Sequence, residues 1–308
     1  MHVGIVLPIA QEAWMSTTAR YGEIREVALA AEAAGLDSVW VFDHLMFRDD
    51  GVVTGIHECW TVLSAIAEAT DRVGLGTIVM GTGFRNPALL AKMAATLDEI
   101  SGGRVILGIG SGWYEPEYDA FGYPFDHRVG RFEEAATVIT DLVRTGHADL
   151  DGRWVTARDA VLAPPARPDL PILIAARRPR MLELTARLAD AWNLAWFGMP
   201  DERLAGVRAE LDAACARVDR DPATLGITVG LNVGFDAVPV PAADGSDGAG
   251  SATALRGSVD DVAEGLAAHA ALGVGHAIVN LEPTTPETVR LLAEAARTAG
   301  LGRLAGAT

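Results

Sequence analysis

Eight times along the chain, a short apolar run without polar alternation precedes a stretch whose apolar residues recur at helical spacing. Runs of that kind belong to strands covered on both faces, as in a parallel sheet. They fall at residues 3–7, 38–42, 73–80, 105–109, 171–176, 191–195, 227–233 and 276–281. Between them the spacing predicts helices. In the first, over 21–34, Ile24, Val27, Ala28, Ala31 and Ala34 share one face, and Gly35 stops it. The clearest single unit runs from Arg72 to Trp113. Asn86 and Pro87 supply an N-cap and a first-turn proline, Leu90, Met93, Ala94 and Leu97 form the apolar stripe, and Gly102-Gly103 ends the helix.

Parallel strands joined through helices are right-handed crossover units, and eight of them in 308 residues are the content of one (β/α)8 TIM barrel, a single domain over 1–308. The pattern breaks in two places, predicting insertions after strand 4 and before the last helix-strand pair. The first begins with an aromatic stretch, YEPEYDAFGYPFDHRVG, which has no period and reads as an ordered loop. It continues through a hairpin turn at Asp151-Gly152 and a connector bounded by Pro164, Pro165, Pro168 and Pro171. The second, residues 242–254, is rich in glycine, alanine and serine and reads as a flexible loop. An open doubly wound sheet is the rival fold. Its nucleotide fingerprint fails here, because Trp113 stands where the third glycine of Gly108, Gly110 and its successor belongs.

Composition narrows the function. Half the residues are apolar, and the formal net charge of −16 comes without a basic block, which argues against nucleic acid and anionic membranes. No run approaches the roughly 20 apolar residues of a membrane helix, and the first residues lack the basic flank of a signal peptide. Cys59 and Cys215 have no metal spacing and read as reduced thiols, which points to the cytoplasm. The histidines are scattered, so no metal site is expected, and no GxSxG element suggests a hydrolase.

Barrel enzymes work at the carboxyl ends of their strands. The candidates are therefore Asp43 and His44, residues 80–84, residues 110–113, residues 176–178, Trp196, Asn232 and Glu282. An imidazole titrates near neutrality, so His44 can donate or accept a proton; the bland alternative is a rim histidine that satisfies a backbone group. Arg177 and Arg178 can clamp an anion, or can simply be a solvated helix start. Arg85 reads as structural, beside the cap Asn86.

The same residues carry a resemblance. SVWVFDHL, GLGTIVMGTGFRNPALLAKMAATLDEISGGRVILGIGSGW, the FGYPF beyond it, and PILIAA with ADAWN downstream are similar to the bacterial luciferase-like monooxygenase superfamily. Within it the chain most resembles the oxidoreductases that use the deazaflavin coenzyme F420. The resemblance implies a barrel holding a deazaflavin, or FMN in the alternative, and moving a hydride between ring and a small, apolar organic substrate. A flavin-binding protein without catalysis is a third reading, favoured if Trp113 plugs the pocket. A homodimer is also implied.

Carried onto this chain, the resemblance makes His44 catalytic, with Asp43 either orienting it or accepting from the ring edge. It places a non-proline cis peptide at Ile78-Val79, behind the ring. Ser111, Gly112, Ala176, Arg177 and Arg178 fall where relatives cradle the cofactor's phosphate and side chain. Trp113 stands where related sugar-phosphate dehydrogenases have a catalytic glutamate, which argues for a different substrate and a different acid. Glu115 and Glu117 are near, but a loop position gives neither a role. The aromatics from Tyr114 to Phe125 are expected to form a lid.

Overall fold

The computed structural model describes residues 1–12, 15, 17–49, 51–240 and 253–302. Eight strands pair in parallel around a closed ring: β1 (His2–Val6), β2 (Ser38–Val41), β3 (Gly74–Thr77), β4 (Val105–Gly110), β5 (Ile172–Ala175), β6 (Ala191–Phe197), β7 (Gly226–Phe235) and β8 (His276–Leu281). β8 returns to β1, with His2 in register with His276. Among the described residues seven helices link the barrel strands or come after the last: α1 (Tyr21–Ala34), α2 (Cys59–Ala69), α3 (Pro87–Ile100), α6 (Pro179–Leu188), α7 (Glu202–Arg217), α8 (Val259–Ala271) and α9 (Pro286–Thr298). The insertion after β4 adds α4 (Glu115–Phe121) and α5 (Arg128–Thr145). The (β/α)8 expectation therefore holds.

Helix starts are set by local chemistry. The Glu58 carboxylate accepts from the amides of Trp60 and Thr61, the Asn86 side chain from those of Ala88 and Leu89, and Asp201 from those of Arg203 and Leu204. The main core lies between barrel and helices. A smaller cluster of Val6, Trp40, Ile78, Leu173 and Ile278 fills the barrel's inside. Trp40 fits there because Gly76 faces it; a Cβ on Gly76 would stand 2.1 Å from the indole. The indole nitrogen donates to the Ser38 hydroxyl, which meets Nε2 of His276 at 2.8 Å. Burial pushes the His276 imidazole down to about 4. This packed layer fills the barrel's interior, with Val6 and Ile78 at the carboxyl ends of their strands.

Two segments differ from expectation. The loop after β2 contains an antiparallel hairpin, Phe47–Asp49 on Val52–Thr54. Its strands are too short to show a period. The aromatic stretch after Trp113 contains α4, started near Pro116 and stopped at Gly122 in the left-handed conformation. Seven residues are two turns, too few for a readable stripe. The hairpin at Asp151-Gly152 forms as expected, from His147–Asp151 and Thr156–Val161, and Glu134 of α5 accepts from three amides of its turn. Most of the loop read at 242–254 lies outside the described residues. Beyond it a short strand, Leu255–Gly257, pairs with the end of β7.

Candidate functional site

Two adjoining cavities occupy the carboxyl end. The larger, about 720 Å³, is lined by Asp43, His44, Ile78, Val79, Ser111, Gly112, Trp113, Ala176, Arg177 and Arg178, all singled out from the sequence, but not by Met80, Thr82 or Gly83. The smaller, about 520 Å³, shares His44, Ile78, Trp113 and Trp196 with it and reaches across to Asn232 and Glu282. Trp113 is 65% exposed and borders both, so it is neither core nor plug.

His44 comes just after β2, and its ring is held from three sides. Phe47 lies at 4.5 Å between centroids, Trp113 meets it edge-on at 5.5 Å, and Glu117 takes Nδ1 at 2.8 Å. Because a carboxylate oxygen accepts, Nδ1 carries the hydrogen of the neutral ring, and Nε2 is left for whatever enters the cavity. Glu117 is 1% exposed, and its second oxygen accepts from the Leu45 amide at 2.8 Å. Sequence reasoning missed this role because it left Glu117 in a loop. On α4 the residue is a fixed buried partner, delivered across 73 positions. Proline one residue before and glycine five after were the available signals.

Asp43 does not orient His44, which corrects one of its two expected roles. Its Oδ2 accepts from the Gly81 amide at 2.8 Å, and both oxygens take the guanidinium of Arg85, one of them in a very short contact. Burial opposes the charge on Arg85, but the hydrogen bonds and field of Asp43 outweigh it and hold the group cationic. Arg85 thus holds the cavity-lining Asp43 from behind, without lining the cavity itself, as well as neighbouring the α3 cap. Asp43, Glu58 and Cys59 come near enough to offer ligands to one cation, and the Arg85 guanidinium already binds the two carboxylates. Burial, and then the Asp43 carboxylate, push the Cys59 thiol far up, so it stays protonated.

The wall between β3 and β4 contains the expected cis peptide at Ile78-Val79. Here two glycines are required by close approach. A Cβ on Gly108 would lie 1.9 Å from the Thr77 carbonyl oxygen, and one on Gly110 would lie 2.5 Å from Val79. A second non-proline cis peptide, Ala195-Trp196, turns the end of β6 at the border of both cavities. No residue type in that stretch announced it.

At the outer end of the larger cavity, Arg177 and Arg178 lead into α6, whose first turn has no side-chain cap. Both are exposed, and among the described residues neither forms an ion pair. Arg128, which the sequence reading passed over, joins them; it donates to the Gly112 carbonyl at 2.6 Å and lies over the Phe125 ring. The expected aromatic lid does not form as a unit. Tyr118 and Tyr123 pack with Phe84, Phe125 packs on Tyr118, and burial raises the Tyr118 phenol to about 12. Tyr114 instead bridges to the backbone of Arg48.

A closed barrel with a carboxylate-paired histidine, a glycine-walled cavity and, among the described residues, two arginines without an ion pair at its carboxyl rim has the form of a ligand-binding barrel. Comparison with known proteins places it further: the profile of the luciferase-like monooxygenase family matches residues 1–237, and the chain belongs to that family. It is 31% identical over 241 residues to a pyrimidine monooxygenase, RutA, of Rhizobium rhizogenes, covering 72% of this chain and 64% of that protein. It is 36% identical over 177 residues to an F420-dependent glucose-6-phosphate dehydrogenase of Amycolatopsis mediterranei, covering 55% and 52%. The matches thus span between about half and two thirds of these relatives' length. Among solved structures, an F420-dependent secondary alcohol dehydrogenase in complex with an F420-acetone adduct superposes with a TM-score of 0.80 at 19% identity, over 97% of this chain and 98% of that one. At that identity the likeness is one of fold. Among the described residues no helix is long and apolar enough to cross a membrane.

Proposed function

We propose that the protein is an F420-dependent oxidoreductase that moves a hydride between the deazaflavin and a small organic substrate, with His44 exchanging the accompanying proton. The observation that carries this reading is the cationic outer end of the larger cavity, where Arg128, Arg177 and Arg178 gather in a chain of net charge −16. An elongated cofactor with a phosphate and an acidic tail suits such an end. Ile78, Val79 and Trp113 would border its ring, Ser111, Gly112 and Ala176 its side chain, and the arginines its anionic groups. Asp43, neutralised by Arg85, would face the ring edge from below.

When bound, the deazaflavin supplies a carbon centre that gives or takes a hydride and does not readily activate oxygen. The chain's own residues supply the rest. Nε2 of His44 exchanges a proton with the substrate oxygen, and Glu117 stabilises the imidazolium formed when His44 accepts one. Trp113 and Trp196 shield the reacting centre from water.

A second reading, an FMN-dependent monooxygenase, draws on the pyrimidine monooxygenase, which matches 72% of this chain at 31% identity. Equilibrium binding of F420 and of FMN to the purified protein separates the two. Binding of F420 is the expected result. Micromolar or tighter FMN binding without F420 binding would replace the first reading by the second.

A further inference from the structure

The smaller cavity has chemistry that the cofactor reading leaves unused. Most of its wall is apolar, from Leu7, Phe42, Phe47 and Trp113. Its remaining face is polar and comes from the ends of three strands: Glu12 after β1, Asn232 on β7, and Asn280 with Glu282 at the end of β8. The Asn280 amide donates to the Asn232 side-chain oxygen at 3.1 Å. Glu282 is paired with Arg256, which stands behind it, outside the lining.

Glu12 lies beside Glu282 and is hydrogen-bonded to Thr284; burial, and then the Glu282 carboxylate, push it up to about 8. Near neutrality Glu12 therefore keeps its proton and offers an O–H donor. Among the described lining residues there is no lysine or arginine. Among the described residues the titratable groups that line the cavity with Glu12 are Glu282 and His44, and Arg256 stands behind Glu282. An entering anion would meet the carboxylate of Glu282 with no lysine or arginine among the described lining residues to answer it, and an entering cation would compete with Arg256 for that carboxylate.

We propose that this cavity is the substrate pocket and that it selects uncharged molecules, with an apolar body and a carbonyl, amide or alcohol oxygen that accepts a hydrogen bond from Glu12. Only the word substrate rests on the hydride-transfer reading; the selection by charge stands on the cavity itself. Glu12 is then a specificity-determining residue, distinct from the proton-exchanging His44. The selection also excludes sugar phosphates and free carboxylic acids from this pocket.

Four matched probes test it by saturation-transfer NMR at neutral pH: cyclohexanone, cyclohexanecarboxamide, cyclohexanecarboxylate and cyclohexylammonium. The ketone and the carboxamide are expected to bind about tenfold or more tightly than either ion. Glu12→Leu should weaken the carboxamide by about tenfold. In the wild type, carboxamide affinity should fall as pH rises past the value of about 8 set for Glu12. Glu12→Gln keeps a donor that cannot ionise and should show no such fall. Equal binding of carboxylate and carboxamide, a wild-type affinity indifferent to that pH range, or no neutral probe bound at millimolar concentration overturns the proposal. F420 affinity measured on the same samples separates the two readings. If F420 fails to bind while the charge order holds, the hydride-transfer reading falls alone; if the charge order fails while F420 binds, this one does.

Discussion

Arginines at the two ends of the barrel are used in opposite ways. At the amino end Arg104 donates to the carbonyls of Ala67, Thr70, Val73 and Ser101. Arg72 donates to those of Glu32 and Leu36, and Arg220 to those of Ala186 and Ala189. These are the free carbonyls where helices end and strands begin, and guanidiniums satisfy them. At the carboxyl end, among the described residues, Arg177 and Arg178 have no such work, although their neighbour Arg128 holds the Gly112 carbonyl. One rim is saturated by its own chain and holds the fold; the other keeps these two cations for something else.

Five substitutions break or sharpen that contrast. The largest effect is expected at the open rim, where His44→Ala should lower turnover by roughly 100- to 10,000-fold. Unaltered turnover would remove His44 from the chemistry. Next comes the saturated rim: Arg104→Ala should cost about 2–4 kcal/mol in chemical denaturation, because it leaves several buried carbonyls unpaired, while the affinity for cofactor stays the same. A loss of cofactor affinity there would erase the division of labour. Glu117→Gln should reduce kcat about 10- to 100-fold, with KM and cofactor affinity at wild-type values, since it acts by positioning His44. A change in KM alone would make Glu117 structural. Smallest per site, Arg177→Ala and Arg178→Ala should each weaken cofactor binding by about 1.5–3 kcal/mol for each charged hydrogen bond lost, without lowering Tm. Unchanged affinity would make both mere surface residues.

What could be read from the chain obeys the same division. Strands buried on both faces announce themselves as apolar runs, so the barrel and the ends of its strands were legible, and with them Asp43, His44 and the glycine wall. The resemblance added the cis peptide at Ile78-Val79. Side-chain pairing was not legible. The partner of His44 sits 73 positions away on a helix of seven residues, and that of Asp43 sits 42 away in a loop beside a cap. Nothing in local period or composition ties such pairs together. Glu12 was passed over for the same reason, since its character comes from burial and then from Glu282, near the other end of the chain.

The bare backbone of Gly108 and Gly110, pressed against Thr77 and Val79, has a consequence for anyone redesigning this barrel. The third and fourth strands are a matched pair, cut to each other with no room for a methyl group between them. They have to be moved between scaffolds as one cassette, glycines included. The loops after the first and eighth strands carry Glu12 and Glu282 without that constraint. A library that keeps the cassette fixed and varies those two loops would change what is admitted while leaving the proposed cofactor seat untouched.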